Sequence, residues 1–267
     1  MRRFLNILFW TVIIGYFFLA MGFVSDRRRS QVCNRVNIVV SDSTRSRFVT
    51  STDISQIADS RSQKLAGNLF DSINSGKVEQ RLNEYSPVHR AQVYKTIDGT
   101  VHAAVEQRAP VLRVINRYGE SFYIDNHGEM LKHSNRYCAR VLVANGFINM
   151  RIPAKGGLNV LDENNASPDK RNIPHELFDL ANYINNSKFW KAQVQQIYVN
   201  EDGDFELIPL VGSHVIIFGA FDRVDDKFSK LESLYRNGLN VKGWNTYDEI
   251  NLKYNGQIIC TKRKTNT

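Results

Sequence analysis

VHRAQVYKTIDGTVHAAVEQ, residues 88–107, is the clearest local signal in the chain. Two strand-like runs, Val88 to Ile97 and Thr100 to Gln107, flank Asp98-Gly99, the dipeptide of a two-residue type I′ hairpin turn. Ala91 and Val93 on one side, and Val101, Ala103 and Val105 on the other, alternate with polar residues as a half-buried pair requires. Upstream, Val36 to Val40 reads as a short strand. Thr52-Asp53 offers an N-cap for a helix with Ile54, Ile57 and Ala58 on one face. A polar stretch, Asp59 to Lys64, follows, and Lys77 to Tyr85 reads as a second helix stopped by Pro87. The order is strand, helix, helix, hairpin.

Arg108-Ala109-Pro110 marks a junction, and the chain beyond it is rich in strands. Val111 to Val114 and Ser121 to Ile124 are joined across Tyr118-Gly119, Asn126-His127-Gly128 is a turn, and Val141 to Val143 is a further strand. Arg151 to Arg171 is polar and reads as a loop. Asn172-Ile173-Pro174 opens a helix with a stripe of Leu177, Leu180, Ala181 and Ile184. Gln195 to Val199 and Phe205 to Ile208 form a hairpin around Glu201 to Asp204, and His214 to Phe218 is a buried type of strand. A second helix carries Val224, Phe228, Leu231, Leu234 and Tyr235 and ends at Asn237-Gly238. Tyr247 to Tyr254 alternates, with Ile250, Leu252 and Tyr254 on one side. Asn255-Gly256 turns the chain into a last strand, Gln257 to Thr261. The fold class is α+β, with a mostly antiparallel β domain and flanking helices in the second half.

The first thirty residues differ from the rest. Phe4 to Val24 is a nearly unbroken apolar run of 21 residues, about 31 Å as a helix, roughly one hydrocarbon core. It exceeds a signal h-region and runs directly into Arg27-Arg28-Arg29, so it reads as an uncleaved transmembrane anchor rather than a leader cut near Ala20-Met21-Gly22. Both flanks are basic, so charge leaves its orientation open. Half of the chain's net charge of +8 resides here: without Arg2, Arg3, Asp26 and Arg27 to Arg29, 30 basic face 26 acidic residues, a net +4. The basic balance is a membrane-border signature more than a nucleic-acid one, and the remainder has no basic stripe interleaved with aromatics. A composition of 42% apolar, 23% charged and 11% aromatic residues over 267 positions suits one or two globular domains. Cys33, Cys138 and Cys260 are too few and too scattered for a disulfide framework or a zinc site.

No P-loop, dinucleotide fingerprint, GxSxG, CxxC or HExxH occurs. Asp125, His127 and Glu129 alternate as metal ligands could, yet a turn through Asn126-His127-Gly128 is the plainer reading. Asn200, Asp202 and Asp204 resemble the start of a calcium loop, but the glycine is misplaced and the closing glutamate is missing. His175-Glu176 opens a helix, where an acid complements the dipole. His214 in an apolar strand reads as a core or turn histidine. No catalytic set, cofactor site or metal site is expected, and no small-molecule substrate. A short final strand ending in a polar tail should lie at a sheet edge. Such an edge can accept a partner strand or be blunted by its lysines, and sequence physics does not choose.

Taken in order, these segments resemble the FtsQ/DivIB family of bacterial cell-division proteins, in its Bacteroidetes-type form. Val105-Glu106-Gln107-Arg108-Ala109-Pro110-Val111 is similar to the family's V-x-E-R-x-P-V junction, with one residue of slack. Tyr123-Ile124-Asp125-x-x-Gly128 matches its Y-x-I-D-x-x-G hairpin. Leu207-Ile208-Pro209 through Val211-Gly212 and His214 to Gly219 resembles its L-x-P-x-x-G strand pair, and Lys230-Leu231 its following helix. Trp244, Tyr247, Ile250, Leu252, Tyr254 and Gln257 to Cys260 resemble its terminal hairpin. Ala139 to Arg171 departs from the pattern.

The resemblance implies a cytoplasmic tip and anchor over residues 1–30, a POTRA-like β-α-α-β-β domain over 31–109, a β domain over 110–261 and a basic tail over 262–267. It implies a non-enzymatic scaffold, single-pass in the inner membrane, N-terminus cytoplasmic and bulk periplasmic, at the division septum. Its partners would be FtsB/FtsL-type bitopic proteins and other divisome components. They would be bound by strand addition at Ile250, Leu252, Tyr254, Gln257, Ile258, Ile259 and Cys260, with Phe228, Leu231 and Tyr235 nearby. Rival readings are a POTRA-bearing assembly or transport scaffold, which would need a barrel that this chain lacks, and an anchored hydrolase using His175 or His214.

Overall fold

The computed structural model describes residues 9–19, 31–41, 49–59, 64–132, 138–152, 158–162 and 171–264. They fall into two compact units, residues Met1–Gln107 and Arg108–Thr267.

Residues 9–19 form α1, whose apolar side chains, Phe9 and Trp10 among them, are exposed. The described residues of this helix span about 16 Å. Among the described residues no helix is long and apolar enough to cross a membrane. The span expected over Phe4 to Val24 is therefore not shown, and its two ends, residues 4–8 and 20–24, lie outside the described residues.

The first unit is a three-stranded sheet under two helices: β1 (Arg35–Ser41), α2 (Ser51–Ala58), α3 (Ser75–Asn83), β2 (Val88–Lys95) and β3 (Thr100–Gln107). The strand order is β1-β3-β2, with β1 parallel and β2 antiparallel to β3. The register sets Val36, Ile38 and Val40 beside Val101, Ala103 and Val105, and these beside Val93 and Ala91. Ile54, Ala58, Val78 and Leu82 from the helices complete the core. The cap of α2 is Thr50, not Thr52-Asp53. Thr50 Oγ1 accepts from Asp53 N and the Asp53 carboxylate accepts from Thr50 N, a reciprocal box that satisfies two free ends.

The hairpin turn also differs from the expected type I′. Asp98 is not left-handed; only Gly99 is, at φ +83°. Gly99 N donates to Thr96 O and Thr96 N to Thr100 O, which makes a longer tip that ends in a glycine bulge. The Asp98 carboxylate accepts from Thr96 Oγ1, Thr100 N and Thr100 Oγ1, which holds its own backbone in place and lowers its pKa.

The second unit is one nine-stranded sheet. Its elements are β4 (Pro110–Ile115), β5 (Ser121–Asp125), β6 (Met130–Lys132), β7 (Leu142–Gly146), α4 (Ile173–Asn186), α5 (Lys188–Gln193), β8 (Val194–Val199), β9 (Phe205–Pro209), β10 (Val215–Gly219), α6 (Val224–Ser233), β11 (Tyr247–Asn251) and β12 (Ile259–Lys262). The spatial order is β12-β11-β10-β9-β8-β7-β4-β5-β6. Five neighbouring pairs are antiparallel and three parallel, so the sheet is mixed but antiparallel-rich. Inward residues such as Leu112, Ile124, Ala144, Ile197, Leu207, Ile216 and Ile250 meet Leu177, Ala181, Phe228 and Leu231 of the helices in one core.

Three elements depart from the sequence reading. α5 is absent from it because six residues are too short for a helical period to show. Its Trp190 is buried 5.1 Å from the Phe228 ring and 5.5 Å from the Tyr235 ring. α6 does not end at Asn237-Gly238. It widens to a π-helix over Leu234–Leu239, adds a last turn at Asn240–Lys242, and stops at Gly243, φ +95°. Gly238 lies inside this widened turn, where a Cβ would meet the Leu234 Cδ1 at 2.7 Å and that side chain would have to shift. Finally, β11 ends at Asn251, and Tyr254 sits in the turn with Asn255 and Gly256 rather than on a continuing strand. Of the expected loop over Arg151 to Arg171, residues 153–157 and 163–170 lie outside the described residues, as do 60–63 of the Asp59 to Lys64 stretch and 265–267 of the tail.

Candidate partner-binding edge

β12 is the end strand of the sheet, antiparallel to β11 with Ile250 opposite Cys260 and Asn251 opposite Ile259. Both ends of the β11–β12 hairpin are tied down. At the turn, Lys253 Nζ lies 2.7 Å from Asp204 Oδ2, and Arg223 Nη2 donates to Lys253 O at 3.2 Å. Arg223 holds this position at φ +45°, a conformation that costs a non-glycine residue about 1 kcal/mol or more. At the far end, Arg263 Nε meets Asp248 Oδ1 at 2.5 Å, Arg263 Nη2 donates to Ser213 O and Arg263 N to Thr246 O. The β11–β12 hairpin is therefore held at both of its ends.

The expected contact residues divide into two groups. Tyr254 at 50% and Ile259 at 43% exposure, with exposed Gln257, face solvent. Ile258 and Cys260 are partly buried and pack on the core. Burial raises the Cys260 thiol pKa, so it is no activated nucleophile. Ile250 and Leu252, and the helix residues Phe228, Leu231 and Tyr235, are buried in the core. The side chains of these five are in the core, on the inner side of the sheet. Alternation alone cannot say that Ile250 faces the helices, because an edge strand still has a core side.

Other edges differ. Along β2, Ala91 N donates to Asn83 Oδ1 at 2.8 Å and Val93 N to Glu79 Oε2 at 2.9 Å, so α3 closes that edge. β6 is three residues long. β12 carries exposed Ile259 near its start and exposed Lys262 at its end, so one charged side chain of the kind that blunts an edge is present only at its far end.

The residues weighed for chemistry are taken up by structure. Asp125 is fully buried; its Oδ2 accepts from Arg108 Nη1 at 2.8 Å and its Oδ1 from His127 N and Glu129 N. Asn200 Oδ1 accepts from Asp202 N and Asp204 N, while Asp204 pairs with Lys253 and Arg171. His175 pairs along its own helix with Asp179 at 3.5 Å. His214 is buried with Nε2 2.9 Å from Tyr235 Oη, and burial lowers its pKa. Burial likewise raises that of the Tyr235 phenol. Among the described residues no group of histidine, cysteine and acidic side chains could hold a metal.

A small two-helix, three-strand module followed by a mixed, antiparallel-rich sheet that ends in a clamped hairpin defines a class: a two-unit α+β protein. Two family models agree with that description. One, for a POTRA-like domain, matches residues 31–106. The other, FtsQ/DivIB, C-terminal related, matches residues 109–261, more than half of the chain. The chain belongs to the FtsQ/DivIB family, and its two domains are those of a division-associated scaffold with a POTRA-like module. No curated protein matches it.

Proposed function

We propose that this protein is a non-enzymatic, single-pass inner-membrane scaffold of the cell-division machinery, N-terminus cytoplasmic and bulk periplasmic, acting at the septum. Its β12 edge takes a strand from an FtsB/FtsL-type bitopic partner. It uses no cofactor and binds neither nucleic acid nor a small-molecule substrate. The observation that carries this reading is the clamped β12 strand at the end of the sheet, with no further strand beside it among the described residues and with exposed Tyr254, Gln257 and Ile259, in the FtsQ/DivIB-related unit. A strand added there gains main-chain hydrogen bonds from β12, and Ile259 and Tyr254 supply apolar contact. The membrane part rests on the apolar run Phe4 to Val24. The absence of catalysis rests on the structural bonds that occupy Asp125, Asp204, His175 and His214.

The test is co-purification from cells of the full chain beside its Ile259→Asp variant. Recovery of a small bitopic coiled-coil protein should fall by about tenfold in the variant, with the circular dichroism unchanged. Equal recovery would move the partner site to the POTRA-like unit, where β1 is an end strand of the sheet. Recovery of the chain in the carbonate-washed membrane pellet tests the anchor, and its release would remove that part of the reading.

A further inference from the structure

The tip of the β4–β5 hairpin carries a second surface of a different kind. Its turn is locked by buried Asn116, whose Oδ1 accepts from Tyr118 N at 3.0 Å and Glu120 N at 2.8 Å. Asn116 Nδ2 donates to Met150 O at 2.8 Å, and Arg117 N to Ile148 O at 3.2 Å, so the tip is bound to the segment after β7. Tyr118 Oη donates to Asn149 Oδ1 at 2.5 Å. On this base stand four side chains in a row. The Arg151 guanidinium lies 4.0 Å from the Tyr118 ring centre. The Arg117 guanidinium lies 5.8 Å from that ring and 5.8 Å from the Phe147 ring. Tyr118 is 45% and Phe147 37% exposed, and both arginines are exposed.

Two like charges stacked on one ring call for a counter-charge. Neither arginine has an ion pair among the described residues. Glu120, at the base of the tip, is turned to Asn116 Nδ2 at 2.7 Å. The cation–π contacts use the ring faces and take up none of the guanidinium N–H donors, which suit bidentate pairing with carboxylates. The rings give the apolar area that a purely anionic ligand would leave uncovered, and arginine and tyrosine are among the residues enriched where binding energy concentrates.

We propose that the row Arg151–Tyr118–Arg117–Phe147 is a docking surface for an acidic, apolar-bearing segment of a partner protein. Carboxylates of that segment pair with the two guanidinium groups while an apolar side chain covers Tyr118 and Phe147. The surface is independent of the β12 edge. β4 and β12 stand six strand spacings apart in the sheet, roughly 29 Å, so both can be occupied at once.

The experiment is fluorescence anisotropy of the full chain with a labelled peptide of repeated Glu-Glu-Leu at physiological salt. A Lys-Lys-Leu repeat, polyglutamate and inorganic polyphosphate serve as competitors. The Glu-Glu-Leu peptide should bind and be displaced poorly by polyglutamate and polyphosphate. Its affinity should fall by about tenfold or more in the Arg117→Glu/Arg151→Glu variant and also in Tyr118→Ala. Ile259→Asp should leave it unchanged, which separates this surface from the proposed partner edge. If the double variant loses its native circular dichroism, Arg151→Gln alone replaces it, with a severalfold loss expected. Binding that survives these substitutions, no binding to the native chain, or polyphosphate competing as well as the peptide would each overturn the proposal.

Discussion

Asp125 carries three donors on a fully buried carboxylate, from Arg108 Nη1, His127 N and Glu129 N. One side chain thus closes the Asn126-His127-Gly128 turn and pins the start of the second unit. Asp125→Ala would leave Arg108 without its buried partner and two amides without acceptors. The expected cost is about 3 kcal/mol, read as a lower urea midpoint for the second unit. Asp125→Asn should cost less, because the amide oxygen can still accept from the two backbone groups. Gly146 is a second sensitive position. At φ +103° a Cβ would lie 2.2 Å from Val199 O, so Gly146→Ala forces the parallel β7–β8 pair apart, and a loss of more than ~2 kcal/mol is expected by the same assay. The sequence showed Asp125 as part of a turn pattern; that its partner would be Arg108, 17 residues back, is a matter of packing.

At the scale of elements, strand edges tell the most. α3 spends two of its side chains on β2, where Glu79 and Asn83 take the outward N–H groups of Val93 and Ala91. Glu79→Ala should therefore expose the Val93 amide, and hydrogen exchange should show protection lost there before the rest of β2. At the other extreme, β12 is held by Arg263 through Asp248 and Ser213. These contacts are partly exposed, so Arg263→Ala should cost only about 0.5–1 kcal/mol, seen as a two- to fivefold loss of amide protection confined to β11 and β12. No change there would mean that β12 is held by its ladder alone. The hairpin and the amphipathic helices were legible because periodicity and turn residues are local properties. Tyr254 was not, since it continues the alternation of Ile250 and Leu252 in sequence but leaves the strand in space. α5 was too short to show a period.

The whole second unit is expected to sense pH through His214. Buried between β10 and the π-helical turn, it has a pKa held below its ordinary 6.5, chiefly by burial. The unfolded chain takes up a proton as pH falls through about 6.5, and the folded chain does not until lower pH. The unfolded state thus binds more protons in that window, and stability falls with falling pH, by at most about 1.4 kcal/mol per unit. Above about pH 7.5 this contribution is flat. Urea midpoints measured from pH 7.5 to 5.5 should show the decline, and His214→Gln should flatten part of it; an unchanged slope would remove His214 from the account. By itself the sequence determined the α+β class, the strand-helix-helix-hairpin order, the last-strand position of the candidate edge and the family resemblance. Each rests on local period, turn chemistry or motif order, all written within short stretches. Only the tertiary structure decided which side of each strand meets the core, that α3 closes the β2 edge, and that the side chains of Ile250, Leu252, Phe228, Leu231 and Tyr235 lie in the core. It also brought Arg117, Tyr118, Phe147 and Arg151 together. Those depend on pairings between residues distant in sequence, where the gain from burial and hydrogen bonding is settled by neighbours that no local pattern names.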